Sequence, residues 1–148
     1  MSEEYQPNGL ISVIEKLNRL YHEMRNEVNK ALLPMDLSLS KLRVLKIVQE
    51  TPQCYASSIM ERLNFSSRSV TESVDFLSSA GFITRGKEVG NRKVKIIKLT
   101  ESGEIILAKA MYERDKKLNE LLSCVDDDDL KIFQNVISRV FTSYYGIK

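Results

Sequence analysis

Between Ile83 and Leu99 the chain sets six bases, Arg85, Lys87, Arg92, Lys93, Lys95 and Lys98, against the single acid Glu88. Cations at this density suit a polyanion such as a phosphate backbone, and the competing reading is a solvated hairpin. A second constellation lies upstream, where Ser66, Ser67, Arg68, Ser69 and Thr71 gather four hydroxyls and a guanidinium within six positions. Hydroxyls and amides at a helix start reach phosphate oxygens and base edges, though serines there are also ordinary caps and surface residues. The planar fork of Arg68 fits guanine O6 and N7, and equally a phosphate or water. Glu72 and Asp75 share its helix face; Glu72 would accept from cytosine or limit nonspecific affinity. Catalytic chemistry finds no support. The sequence lacks a nucleophile beside a base, paired carboxylates and a phosphate-cradling glycine loop, because Gly81, Gly86 and Gly90 read as turn glycines. Cys54 and Cys124 lie seventy positions apart with one histidine, His22, in the chain, so neither a disulfide framework nor a metal site is expected, and no cofactor.

The elements that must position these residues follow from periodicity. Leu10, Ile14, Leu17, Tyr21, Met24, Val28 and Ala31 step by four and three, a heptad stripe on one long helix that needs a partner. Leu107, Met111, Leu118, Leu121 and Val125 form a second apolar series, and Leu130, Phe133, Ile137, Val140, Phe141 and Tyr144 a third. Asp126–Asp129 open the last helix; four consecutive carboxylates point in different directions, which favours capping over a divalent-ion site. Between the terminal helices, a helix over 40–49 ends at Thr51-Pro52 and a short one follows over 56–63. Asn64 and Phe65 make a tight turn, and Ser66 caps a third helix burying Val70, Val74 and Leu77 and ending at Gly81. Helix, three-residue turn, helix is the helix-turn-helix spacing. Phe82–Arg85 and Val94–Leu99 then predict a two-stranded wing, and the uneven alternation of 94–97 predicts either a bulge or a strand covered on both faces.

Charge follows the same division. Residues 38–100 carry 11 Lys/Arg against 5 Asp/Glu, whereas 1–37 carry 4 against 6 and 101–148 carry 7 against 9, within a net charge of +2. The expected organisation is a mainly α chain: an N-terminal dimerisation helix (1–37), a winged helix-turn-helix (38–100) and C-terminal dimerisation helices (101–148). With 43% apolar residues, 28% charged residues and no long apolar run, the chain reads as a folded cytoplasmic protein without a membrane partner.

Several motifs in this order carry a family resemblance: Ile59-Met60-Glu61-Arg62-Leu63-Asn64-Phe65-Ser66, Val70-Thr71-Glu72-Ser73-Val74-Asp75-Phe76-Leu77, Gly81-Phe82-Ile83-Thr84-Arg85, Asn91-Arg92-Lys93 and Leu99-Thr100-Glu101-Ser102-Gly103. The chain resembles MarR-type transcriptional regulators over nearly its whole length. The resemblance implies a homodimer on double-stranded DNA with a pseudo-palindromic operator, usually as a repressor released by a small-molecule effector. Residues expected at the DNA are Ser66, Ser67, Arg68, Ser69, Thr71, Arg85, Lys87, Asn91, Arg92, Lys93 and Lys95; those expected in the dimer interface are Leu10, Ile14, Leu17, Tyr21, Ile137, Val140, Phe141 and Tyr144. The wing tip departs from the family's Asp-Arg-Arg by carrying Asn91-Arg92-Lys93, so an amide replaces the carboxylate that would brace the arginine. The poorly charged recognition helix leaves a protein–protein adaptor as the alternative; the wing's bases favour DNA. An effector, if one binds, would meet Tyr21, Met24, Arg25, Met111 and Tyr112 between dimerisation helices and winged domain; the competing and favoured reading is that these residues are simply interface core. A helix start after Cys54 is one route to a lowered thiol pKa, but the family's commonest peroxide-sensing cysteine lies near the N-terminal helix, where this chain has none; Cys124 among Leu121, Leu122 and Val125 reads as buried.

Overall fold

The computed structural model describes residues 9–88 and 95–146. In chain order these form α1 (Gly9–Leu32), a 3-10 turn (Leu33–Met35), α2 (Leu39–Glu50), α3 (Ala56–Leu63), α4 (Ser67–Ser79), β1 (Ile83–Glu88), β2 (Lys95–Leu99), α5 (Glu101–Leu121) and α6 (Asp127–Tyr145). The mainly α winged architecture is the expected one. The chain divides into two compact units, Met1–Lys117 and Leu118–Lys148.

Among the described residues, all the buried side chains lie in the first unit. Val28 and Leu32 from the end of α1, Leu42, Val44, Leu45, Ile47 and Val48 from α2, and Ile59 from α3 pack with Val70, Val74 and Leu77 from α4. Ile83, Ile97, Leu107 and Ala110 join them, so the wing and α5 share one core with the helix-turn-helix. Burying Val70, Val74 and Leu77 on one stripe leaves Arg68, Glu72 and Asp75 on the opposite side of α4 in solvent.

Local chemistry sets the boundaries. Ser38 caps α2 by accepting the Lys41 amide at 3.3 Å, and the Asn29 carboxamide of α1 accepts the Leu39 amide at 2.8 Å. Asp36 turns the chain before α2 in the left-handed conformation, φ 53°. Asn64 ends α3 with the same φ of 53°, and Ser66 caps α4 by accepting the Ser69 amide at 3.1 Å. Gly81, φ 80°, releases the chain into the wing.

The wing strands pair antiparallel, Ile83 with Leu99 and Arg85 with Ile97, and their register shifts between Arg85 and Glu88. The irregularity expected near 94–97 therefore falls on the first strand. The second strand is flanked on its other edge, where the Ile97 amide donates to the Cys54 carbonyl at 2.7 Å. Val94 lies outside the described residues.

In the second unit Asp126 caps α6 by accepting the Asp129 amide at 2.8 Å, the expected capping role. Cys124 is exposed. This corrects its expected burial: it sits in the turn after α5, exposed among the described residues. Among the described residues no group of His, Cys, Asp and Glu is placed to hold a metal ion, and no helix is long and apolar enough to cross a membrane.

Candidate nucleic-acid interface

The candidate interface is assembled by α4 and the wing. Ser66, Ser67, Arg68, Ser69 and Thr71 are all exposed at the start of α4. Their hydroxyls are partly engaged locally: Ser66 Oγ donates to Ser69 Oγ at 2.9 Å, and Thr71 Oγ1 donates to the Ser67 carbonyl at 2.9 Å. Arg68 Nε donates to Glu72 Oε1 at 2.9 Å, one helical turn further on.

Arg85, on β1, is ion-paired with Asp75 on α4. The pair links the first wing strand to α4, and both residues line a cleft of about 390 Å³ with Ser57, Thr71, Lys95 and Ile97. Arg85 therefore enters the interface with its charge already opposed, whereas Lys87, Lys95 and Lys98 stand exposed on the two strands. Asn91, Arg92 and Lys93 lie outside the described residues.

A contact not signalled by the sequence lies on α2, where the Lys41 ammonium stands 3.4 Å from the centroid of the Phe76 ring of α4. A cation over an aromatic face gains from the ring quadrupole. No period marks such a pair. Arg62 is likewise committed within the fold, donating to Glu50 Oε2 at 3.2 Å and Thr51 Oγ1 at 3.4 Å.

Cys54 is fully buried. Burial pushes its thiol pKa up, with Arg62 acting weakly in the opposite direction. Desolvation outweighs the nearby cation, so the helix start that follows Cys54 does not give it a lowered thiol pKa.

Of the residues expected to meet an effector, Tyr112 lines a cleft of about 680 Å³ with Ala31, Pro34, Met35, Ala108, Lys109 and Glu113. Tyr21, Met24, Arg25 and Met111 are not among its lining residues. Arg25 donates to Ser40 Oγ at 3.4 Å, and His22 is exposed against the edge of Tyr21, with ring centroids 6.1 Å apart.

The residues expected in a dimer interface are exposed in the single chain, with one exception. Leu10, Ile14 and Tyr21 are exposed and Leu17 half-buried on α1, while Ile137, Val140, Phe141 and Tyr144 are all exposed on α6. The helix α6 has no buried residue.

A two-helix DNA-reading element, a two-stranded wing and long flanking helices define a winged helix-turn-helix protein. Residues 37–95 match the MarR family model, which supports a MarR-family transcriptional regulator; members of that family are transcriptional regulators and not enzymes. The HTH-type transcriptional regulator PapX of Escherichia coli is 27% identical over 130 residues, 86% of this chain and 79% of PapX. A cysteine-to-serine mutant of MarR from E. coli, complexed with operator DNA, superposes with a TM-score of 0.76 at 19% identity, covering 90% of this chain and 96% of that one. CouR from Rhodococcus jostii RHA1, bound to p-coumaroyl-CoA, gives a TM-score of 0.70 at 20% identity over 84% of this chain and 87% of CouR. At these identities the structural likeness is one of fold.

Proposed function

We propose that the protein is a dimeric, sequence-specific DNA-binding regulator that represses from a pseudo-palindromic operator and is released by a small-molecule effector. The observation that carries this reading is the surface made by the exposed start of α4 and the wing, bridged by the Asp75–Arg85 pair and carrying Lys87 and Lys95 in solvent. The helix would enter the major groove with Ser66, Ser67, Arg68, Ser69 and Thr71 toward phosphates and base edges. The wing would follow the flanking backbone with Arg85, Lys87, Asn91, Arg92, Lys93 and Lys95.

An operator complex of MarR and a ligand complex of CouR, both of this fold, support the two halves of the reading. The apolar faces of α1 and α6, bare within one chain, support a second copy as the partner that sets the separation of two recognition helices. In this division of labour 1–37 and 101–148 serve dimerisation and 38–100 reads DNA. The cleft containing Tyr112, lined by Ala31, Pro34, Met35 and Ala108 with the charged Lys109 and Glu113, would offer a mostly apolar seat for such an effector.

Selection from a randomised duplex library tests the proposal. The expected product is an inverted repeat whose half-site centres lie about 10 base pairs apart, protected by the protein in a footprint. Enrichment of no sequence would leave the adaptor reading as the better one.

A further inference from the structure

An acid on the outward face of a DNA-reading helix opposes binding to phosphate, so the position of Glu72 asks for a reason. Stability does not supply it: Arg68 and Glu72 side chains are 88% and 65% exposed, and exposed ion pairs contribute little to folding. Their geometry does. Glu72 Oε1 takes the Nε–H of Arg68, and the two terminal nitrogens of the guanidinium have no partner among the described residues. Those nitrogens form the end of the fork that matches guanine O6 and N7. Arg68 is the single base within α4, and the neighbouring Ser66 and Thr71 hydroxyls already donate within their own turn.

We propose that Glu72 is a positioning residue for operator specificity: it holds Arg68 by Nε so that the terminal fork points into the groove, and its charge penalises binding wherever that fork finds no guanine. The inference rests on α4 being the groove-facing helix. It assigns the carboxylate two effects of opposite sign, because removing it lightens the repulsion from every duplex while freeing the guanidinium only where orientation matters.

The test uses the full-length protein and fluorescence anisotropy on three duplexes of equal length: the sequence selected by the wild type, the same sequence with 7-deazaguanine in place of each guanine, and an unrelated sequence. Glu72→Ala is expected to tighten binding to the unrelated duplex and weaken it on the selected one, lowering the ratio of the two affinities about tenfold, the scale of one bidentate base contact. Glu72→Gln, which keeps an acceptor for Nε without the charge, should tighten binding to both duplexes by a similar factor and so keep the ratio of the two affinities close to that of the wild type. The 7-deaza substitution should weaken the wild type and leave Arg68→Ala and Glu72→Ala almost unaffected. Equal tightening of Glu72→Ala on both natural duplexes, with unchanged melting temperature, would reduce Glu72 to a simple repulsive charge and overturn the proposal while leaving DNA recognition intact. If the wild type selects no sequence, the parent reading fails and this one with it.

Discussion

The Thr100 hydroxyl donates to the Gly81 carbonyl at 2.6 Å while accepting the Gly103 amide at 2.9 Å. One side chain thereby ties the residue that ends α4 to the first turn of α5, closing the wing at its base. The Thr100 amide adds a bond to the Phe82 carbonyl at 3.0 Å, and Gly103 packs so closely on that carbonyl that a β-carbon has no room. Gly103→Ala should therefore destabilise the fold by about 3 kcal/mol, the range of forced overpacking, against backbone that cannot rotate away. Thr100→Val, which keeps the shape and removes both bonds, should cost about 1–2 kcal/mol, as lost caps do. Chemical denaturation followed by circular dichroism reads both, and an unchanged midpoint for Gly103→Ala would mean that Phe82 is free to shift.

The same corner shows how far the sequence carries. The turn at Asn64 and the exit at Gly81 are written in residue types that tolerate positive φ, and the stripe of Val70, Val74 and Leu77 places the outward face of α4 by spacing alone. Gly103 is visible in the sequence only as part of a motif, because its requirement comes from Phe82, twenty-one positions earlier. Asn29 capping the helix start at Leu39, ten positions later, is an equally nonlocal decision. In the candidate interface, the types and exposure of Arg68 and Lys87 follow from the sequence. The Asp75–Arg85 and Lys41–Phe76 pairings depend on how α4 meets the wing and α2, which no local period encodes.

The two thiols should separate cleanly in reactivity. Cys54 is buried with its pKa raised by desolvation, so at neutral pH it holds less thiolate than an ordinary cysteine, while Cys124 is exposed. A chromogenic disulfide reagent at pH 7 should titrate one thiol rapidly in the native protein, and Cys124→Ser should abolish that fast phase. Raising the pH is expected to destabilise the fold once it passes the ordinary thiol value: a folded pKa above the unfolded one gives stability that is complete below the latter and lost as pH climbs toward the former. Cys54→Ala should remove that alkaline component, as measured by denaturation midpoints across pH. Fast modification of two thiols in the native state would contradict the burial of Cys54.

Cations on the wing should differ in their salt response. Lys87 and Lys95 are exposed on opposite strands, and alanine at either should lower the slope of log affinity against log salt by about one unit on any duplex, provided each meets one phosphate. Arg85 already shares its charge with Asp75, so Arg85→Ala should change the slope less while weakening binding through the wing's position. Asp75→Asn offers the complementary measurement. It releases Arg85, and should raise the slope while lowering the preference for the selected sequence over an unrelated one. Equal slopes for the wild type and both lysine variants would remove these strands from the DNA contact.

Self-association should rest on the apolar faces that one chain leaves bare. Ile14 is 62% exposed on α1, and Val140 and Phe141 are 63% and 62% exposed on α6, along stripes too long to be the scattered surface apolar residues of a monomer. In a two-fold dimer each of these side chains is buried twice, once per protomer. A charge placed there removes two contacts of about 1.5–3 kcal/mol each and strands two carboxylates, so dissociation constants should rise at least about a hundredfold. Leu17→Glu and Val140→Glu should therefore sediment as monomers at micromolar concentration, where the wild type sediments as a dimer. Both should keep a cooperative melt of the winged unit, since neither side chain belongs to its buried core of Leu42, Leu45, Ile59, Val70 and Leu77. Loss of the inverted repeat's second half-site should follow, leaving the weak single-site affinity of one recognition helix. A wild type that sediments as a well-behaved monomer at these concentrations would remove the dimer and the paired half-sites together.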